Sequence, residues 1–222
     1  MSVLNTEEVR RLYDRIAGSY DVLTLGFRAL GFGRHQKRLI EALALSQGDT
    51  VVDLCCGTGI NLEPLSEAVG PSGRVIGVDL SEGMLGKARD RAAKAGLGNI
   101  EFIQADVQEY DVPTSASAVL STFGLEIVPG YDDVVKRSAA ALPAGGRIGL
   151  MGLKHPESWP DWLIKAGVVI TAPFGVSREY EDFKPWVSGD TYFMRQTFTE
   201  HLAGAAYTYV GEAGLRRVGT PS

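Results

Sequence analysis

Three acidic residues stand near the ends of apolar stretches, and two glycines follow the first of them. Asp53 lies in "VVDLCC", which continues into "GTG" with Gly57 and Gly59. Asp79 ends "RVIGVD", and Asp106 follows "IEFIQA". Glycines let the backbone approach a ligand because they have no Cβ, and carboxylates accept hydrogen bonds from hydroxyl and amino groups. This set of residues is suited to holding a small ligand rich in such groups.

A regular alternation of strands and helices is predicted to position these residues. The predicted strands are "TVVDLC", "RVIGVDL", "IEFIQAD", "SAVLSTF" and "RIGLMGL", and the predicted helices are "NLEPLSEAV", "EGMLGKARDRAAKA" and "GYDDVVKRSAAAL". The pattern indicates an α/β fold with a doubly wound, mostly parallel, seven-stranded Rossmann-like sheet. Because parallel strands end at one edge of their sheet, the three carboxylates are expected at that edge.

Further elements are predicted at both ends of the chain. The stretch "TEEVRRLYDRIAGSY" places Val9, Tyr13, Ile16 and Tyr20 on one helical face, which predicts an N-terminal helical lid. The stretch "FMRQTFTEHLAGAAYTYVGEAG" predicts a C-terminal antiparallel hairpin with "AYTYVGE" as its second arm. A helix is predicted over "WPDWLIKAGVVITA", and "REYEDFKPWVSGDTY" is expected to be irregular.

The length of 222 residues is consistent with one domain over residues 1–222. We expect a lid over residues 1–46, a ligand-binding core over residues 47–153, and acceptor-side helices with the hairpin over residues 154–222. There are 22 basic and 27 acidic side chains, a net charge of −5, which argues against nucleic acid as a partner.

Targeting and redox features point to the cytoplasm. The N-terminus lacks the apolar core of a signal peptide, and no long uncharged apolar run predicts a membrane span. Contact with a membrane surface and a homodimer are both compatible with the sequence. Cys55 and Cys56 are expected to be free thiols, and no metal site is expected because His35, His155 and His201 share no ligand spacing.

Two cofactor classes suit a glycine turn at this edge. A dinucleotide requires G-x-G-x-x-G, but Leu62 stands at the sixth position, so the motif is broken. S-adenosylmethionine has no phosphate, and its positive sulfonium suits an edge rich in carboxylates. For this cofactor the glycine turn would contact the amino-acid part, Asp79 the ribose and Asp106 the adenine.

The chain resembles the class I S-adenosylmethionine-dependent methyltransferases, and within them the ubiquinone/menaquinone C-methyltransferase group. The segments that carry the resemblance, from residue 13 to about residue 153, are "YDRIAGSYDVLT", "VVDLCCGTG", "GVDLSEGML", "IQAD", "FGLEIVPGYDDVV" and "LPAGGRIGLM". The resemblance implies direct in-line methyl transfer to a small or amphiphilic, lipid-like acceptor.

The resemblance also implies roles for individual residues. Met84 would pack on the adenine, the Val107 backbone would donate to it, and Tyr20 would cover the cofactor as part of the lid. The expected cofactor-binding residues are Tyr20, Asp53, Cys55, Gly57, Gly59, Asp79, Leu80, Met84, Asp106, Val107 and Phe123. Glu126 and His155 are the candidate catalytic bases for an acceptor that must lose a proton.

The chain departs from the quinone group at one informative position. That group commonly reads F-G-L-R-N-V after the fourth strand, whereas this chain reads "FGLEIV", with Glu126 in place of the arginine. The acceptor therefore does not follow from the resemblance. Two alternatives stay open at this point: an NAD(P)-dependent oxidoreductase, and a non-catalytic S-adenosylmethionine-binding regulatory protein.

Overall fold

A computed structural model of the chain describes residues 5–23, 31–156, 159, 160, 162 and 182–214. Within these ranges the helices are α1 (Thr6–Ile16), α2 (Tyr20–Leu23), α3 (Phe32–Ala42), α4 (Leu62–Val69), α5 (Glu82–Lys94), α6 (Tyr131–Ala141) and α7 (Pro185–Tyr192). The strands are β1 (Thr50–Leu54), β2 (Arg74–Asp79), β3 (Ile100–Gln104), β4 (Ala118–Thr122), β5 (Arg147–Leu153), β6 (Met194–His201) and β7 (Ala206–Glu212).

The strands form one seven-stranded sheet in the order β3-β2-β1-β4-β5-β7-β6. The first five strands in this order are parallel to one another, whereas β7 is antiparallel to both β5 and β6. The predicted fold class and the C-terminal hairpin are confirmed, and β7 coincides with "AYTYVGE". The strand order reverses between β1 and β4, where ligands bind in doubly wound sheets.

Two apolar clusters cover the two faces of the sheet. Successive side chains of β1 point to opposite faces of the sheet, so Val52 and Leu54 belong to one cluster and Val51 to the other. This two-sided burial follows from parallel strands with helices on both faces. The core therefore fixes the strand ends, and the loops that follow them carry the polar residues.

The region after β5 differs in part from the prediction. The "KPWVSGDTY" part of the stretch expected to be irregular contains α7, which begins at Pro185. Ser188 Oγ and Tyr192 Oη donate to the Asp132 carboxylate at 2.6 and 2.9 Å, so contacts with α6 hold this helix. The helix predicted over "WPDWLIKAGVVITA" lies mainly outside the described residues. In the part of the chain that the structure describes, every helix is too short or too polar to cross a bilayer.

Candidate active site

A cavity lies at the carboxyl edge of the sheet, beside the reversal between β1 and β4. Its walls come from the N-terminal helices α1 to α3 and from the loops that follow the first four strands. Ten of the expected site residues line it: Tyr20, Cys55, Gly57, Asp79, Leu80, Met84, Asp106, Val107, Phe123 and Glu126. Asp53, Gly59 and His155 are not among the described lining residues. The topology has therefore brought most of the predicted set to one place.

Asp79 connects the loops after β1 and β2. Its Oδ2 accepts the Gly57 backbone N–H at 2.8 Å, and its Oδ1 accepts the Ser81 backbone N–H at 2.9 Å. Burial raises the pKa of this carboxyl to about 6, although the two N–H donors act in the opposite direction. The site thus holds a carboxylate whose position is fixed by backbone donors on both oxygens.

Asp106 connects the loop after β3 to the lid. Its Oδ1 accepts the Gln108 backbone N–H at 2.9 Å, and Thr6 Oγ donates to its Oδ2 at 3.2 Å. Val107, the next residue, is buried, and Met84 on α5 is buried as well. Apolar packing and a hydrogen-bonding carboxylate therefore occur side by side in this part of the cavity.

Asp53 lies beneath the edge because of the strand register. In the parallel β1–β2 pair it stands opposite Gly77, two residues before Asp79, which places it roughly 6 to 7 Å below the edge. It is fully buried, and Asn61 Nδ2 lies 3.4 Å from both of its oxygens and 2.9 Å from Thr122 Oγ1. Burial raises the pKa of Asp53 to about 7, opposed by the Asn61 hydrogen bond. Through Asn61, Asp53 is linked to the start of α4 and to the end of β4.

The two glycines of the turn have different surroundings. Both have positive φ, 54° at Gly57 and 78° at Gly59, a region that favours glycine. A Cβ on Gly57 would meet nothing within 4 Å, whereas one on Gly59 would lie 2.5 Å from Leu62 Cδ1 and 3.0 Å from Ala88 Cβ. Gly57 therefore opens the backbone to the cavity, and Gly59 allows α4 and α5 to pack closely.

Two non-glycine residues with positive φ stand at adjacent strand ends. Cys55 after β1 and Phe123 after β4 both have φ of 57°, and both line the cavity. Burial raises the pKa values of the Cys55 and Cys56 thiols well above the usual value for a cysteine, so both are neutral thiols at physiological pH. Such local backbone strain is common at binding sites.

Glu126 is a buried carboxylate in the loop after β4. It lies in a short 3₁₀ turn (Leu125–Ile127), is 8% exposed, and its Oε1 accepts the Leu153 backbone N–H at 3.2 Å. A Cβ on Gly152 would lie 2.6 Å from Oε1 and 2.8 Å from Oε2, so the carboxylate occupies the space above that glycine. Burial raises the pKa of Glu126 to about 7, opposed by its own backbone N–H and that of Leu153. His155, the other candidate base, is exposed beyond β5.

The N-terminal segment that was predicted to form a lid is attached by polar contacts that sequence reasoning missed. Asp14 Oδ1 accepts Ser81 Oγ at 2.6 Å and the Gly83 backbone N–H at 3.0 Å, and Asp21 accepts Thr58 Oγ1 at 2.7 Å and Arg91 Nη2 at 2.6 Å. The available signal was that each lid tyrosine is followed at once by an aspartate, in "YD" twice seven residues apart. Among the described residues of α1, no side chain is fully buried.

The chain is similar to methyltransferases by sequence. The profile of the ubiE/COQ5 methyltransferase family matches residues 1–161. A demethylmenaquinone methyltransferase of Listeria monocytogenes serotype 4a (strain HCC23) is 31% identical over 166 residues, covering 73% of this chain and 68% of that protein. A 2-phytyl-1,4-naphtoquinone methyltransferase of Thermosynechococcus vestitus (strain NIES-2133 / IAM M-273 / BP-1) is 32% identical over 187 residues, covering 80% and 81%.

Solved structures share the fold. Haemonchus contortus phosphoethanolamine N-methyltransferase 2, solved with S-adenosylhomocysteine, gives a TM-score of 0.73 at 15% identity and covers 96% of this chain and 61% of that chain. Streptomyces coelicolor A3(2) geranyl diphosphate C-methyltransferase gives a TM-score of 0.63 at 16% identity and covers 82% and 78%. At these identities the likeness concerns the fold.

Proposed function

Because this chain belongs to the ubiE/COQ5 methyltransferase family and is an S-adenosylmethionine-dependent methyltransferase, we propose that its cavity binds both the cofactor and the methyl acceptor. We assign the cofactor to the glycine turn and the loops after β2 and β3. We assign the acceptor to the space between Glu126, the lid and the loop after β4. Family membership decides against an NAD(P)-dependent oxidoreductase, in agreement with the buried Leu62 that breaks the dinucleotide motif.

The residues present fit S-adenosylmethionine. Open space beside Gly57 permits close approach of the amino-acid part, and the fixed Asp79 carboxylate suits the ribose hydroxyls. Met84 and Leu80 would pack on the adenine, with Asp106 and the Val107 backbone at its polar edge. Cys55, Phe123 and Tyr20 would complete the walls, whereas Asp53 and Gly59 would support the turn from outside the cavity.

The nature of the reaction determines which roles belong to the cofactor and which to the protein. When bound, the cofactor supplies an electrophilic methyl group with a neutral leaving group, so the protein mainly provides alignment and exclusion of water. Tyr13 and Tyr20, with ring centroids 6.2 Å apart, line the cavity from the lid side and would exclude water there. Glu126 would accept a proton from the acceptor, since its raised pKa is matched to physiological pH. The exposed His155 is not assigned this role.

The acceptor is proposed to be small and lipophilic, with a nucleophilic atom that still bears a proton. The cavity combines apolar walls, which include Phe32, Phe123 and Val128, with the buried Glu126 carboxylate. The two named relatives act on a demethylmenaquinone and on a phytyl naphthoquinone, so prenylated quinols belong among the acceptors to be tested.

Three further properties are proposed with this function. The acidic net charge supports activity without nucleic acid. The two free thiols support a cytoplasmic location. The exposed edge strand β6 is compatible with a homodimer.

The observation that carries the proposal is the buried Glu126 carboxylate in the same cavity as the backbone-fixed Asp79. The test is isothermal calorimetry with S-adenosylmethionine, S-adenosylhomocysteine and NAD, followed by incubation with labelled cofactor and a lipid extract. We expect the first two ligands to bind, NAD to show no heat of binding, and label to appear in a lipophilic product. Binding of NAD alone, or label confined to water-soluble products, would contradict the proposal.

A further inference from the structure

The cavity contains a side-chain amide to which no role has been assigned. Gln36 on α3 lines the cavity, is partly buried, and makes no hydrogen bond through its amide to any residue that the structure describes. Other polar side chains of the lining are paired, since Gln108 Oε1 accepts the Gly130 backbone N–H and Thr122 Oγ1 accepts Asn61 Nδ2, both at 2.9 Å. The Gln36 amide therefore keeps its N–H donors and its carbonyl acceptor available to a ligand.

The packing of α3 on β5 determines where Gln36 lies. A Cβ on Gly149 would lie 3.1 Å from Leu43 Cδ2, so the C-terminal end of α3 rests directly on the strand. Arg147 Nη1, at the first residue of β5, donates to the Ala42 carbonyl at 2.9 Å. The helix therefore begins near the other end of β5, and Gln36 in its second turn lies beside the carboxyl edge of the sheet.

Glu126 reaches the same end of β5 from the opposite face of the sheet. A Cβ on Gly152 would lie 2.6 Å from Glu126 Oε1, whereas one on Gly149 would meet α3. Successive residues of a strand point to opposite faces, so positions 149 and 152 face different sides. The Leu153 backbone N–H donates to Glu126 Oε1, and Leu153 itself lines the cavity. The carboxylate and the Gln36 amide thus flank the end of β5.

An aromatic pair joins the two elements that carry these polar groups. Phe32 lies one turn before Gln36 on α3, and Phe123 lies three residues before Glu126 in the loop after β4. Their rings are edge to face, with centroids 5.2 Å apart, and both residues line the cavity. A flat apolar group bound against this pair would present one edge to the carboxylate and the other to the amide.

The two polar groups suit different atoms of an acceptor. Glu126 is proposed to accept the proton of the reacting group, and it becomes neutral when it does so. A second oxygen at the far edge of the acceptor needs a hydrogen-bonding partner of its own, because burial without one is costly. An amide can pair with either a hydroxyl or a carbonyl oxygen. Because Gln36 is uncharged, it does not oppose the negative charge of an acceptor that has lost its proton.

We propose that Gln36 binds a second oxygen of the acceptor, opposite the group that gives its proton to Glu126, and so determines acceptor specificity. The enzyme then selects flat apolar acceptors that carry oxygen at two opposite edges. The inference rests on the proposed function, because it concerns the acceptor half of the same cavity. It adds to that function a residue that recognises the acceptor.

The test compares two ligands that differ by one hydroxyl group. The purified protein is saturated with S-adenosylhomocysteine, which cannot donate a methyl group, and is titrated by calorimetry in the absence of oxygen. The ligands are 2-hexyl-1,4-naphthalenediol and 3-hexyl-1-naphthol, which share the ring, the tail and the hydroxyl next to the free ring carbon. We expect the diol to bind about tenfold more tightly, because the naphthol leaves the Gln36 amide unpaired.

A substitution at Gln36 completes the comparison. Gln36→Leu keeps the approximate size of the side chain and removes its hydrogen-bonding groups. The affinity for the diol should fall to that for the naphthol, while the affinities for the naphthol and for S-adenosylhomocysteine should not fall. A purely structural role would weaken the binding of both ligands alike. Lys37→Leu, at the exposed neighbouring position, is the matched control and should retain the wild-type preference for the diol.

The outcomes separate this inference from the proposed function. Equal binding of the two ligands to the wild type, or binding of neither, overturns the role of Gln36, and so does a preference for the diol that survives in Gln36→Leu. Weaker binding of S-adenosylhomocysteine to folded Gln36→Leu would place the amide in the cofactor half and also overturn the inference. In each of these cases the proposed function stands if the wild type binds S-adenosylhomocysteine and label enters a lipophilic product. If neither S-adenosylmethionine nor S-adenosylhomocysteine binds the wild type, the proposed function itself fails.

Discussion

Gly57 donates its backbone N–H to Oδ2 of Asp79 at 2.8 Å, so the glycine turn after β1 is tied to the carboxylate at the end of β2. The second oxygen of Asp79 is held by the Ser81 N–H, at the residue that caps α5. The two loops proposed to bind the cofactor therefore share one anion. A preorganised carboxylate of this kind binds hydroxyl groups without having to be ordered first.

Asp79→Asn is expected to weaken S-adenosylhomocysteine binding at least tenfold. The substitution keeps the shape of the side chain but turns one acceptor into a donor that faces a backbone N–H. Loss of a charge-assisted hydrogen bond costs about 1.5–3 kcal/mol. Calorimetry measures the affinity, circular dichroism checks the fold, and Asp90→Asn, at an exposed position on α5, is the control. Unchanged affinity in a folded variant would remove Asp79 from the proposed site.

The two glycines of the turn are expected to respond differently to alanine. Gly59→Ala adds a Cβ that overlaps Leu62 and also strains a positive φ, so it should lower the free energy of unfolding by roughly 2–4 kcal/mol. Gly57→Ala meets open space and should cost only about 1 kcal/mol of backbone strain, but its methyl group would enter the cavity. Urea unfolding and calorimetry would show loss of stability for Gly59→Ala and loss of cofactor affinity for Gly57→Ala. The reverse pattern would contradict the assignment of the two roles.

Because of Asp53, the free energy of unfolding is expected to depend on pH between about 4 and 7. Its pKa rises from 3.8 to about 7 on folding, so in this window the folded state holds a proton that the unfolded state has released. Its stabilising contribution is therefore complete below pH 4 and is lost as pH rises towards 7. Asp53→Asn should be more stable than wild type at pH 8, by up to about 4 kcal/mol, and should differ little at pH 4. Parallel stability curves for the two proteins would show that burial does not perturb this carboxyl.

The lid helix α1 is expected to open when its anchor to α5 is removed. Asp14→Ala deletes the acceptor for both Ser81 Oγ and the Gly83 N–H, and no described side chain of α1 is fully buried to compensate. Hydrogen exchange should then be faster in α1 and unchanged in β5. In the wild type, S-adenosylhomocysteine should protect residues 10–23 more than β5.

The control for the lid is Arg15→Gln, an exposed position on the same helix. It should leave the exchange of α1 as in the wild type. If Asp14→Ala and the wild type exchange alike, with and without ligand, α1 is a static element and loses its role as a lid.

The alternation of strands and helices, visible in the sequence, was sufficient to predict the sheet and the edge beside which the cavity lies. Local patterns suffice here because apolar periodicity and turn residues are encoded within short stretches. The hairpin arm "AYTYVGE" was readable for the same reason. Helix α7 could not be predicted in this way, because it is held by hydrogen bonds to Asp132, which lies more than fifty residues away in the chain.

The amino-acid pattern alone places Asp53, Asp79 and Asp106 near strand ends and two glycines after the first of them. Which of these carboxylates reach the cavity depends on the packing of the folded chain. The β1–β2 register places Asp53 two residues below Asp79, and the loop after β4 buries Glu126 over Gly152. Register and burial depend on how distant segments pack, and the physical properties of a carboxylate, its pKa above all, depend on that packing.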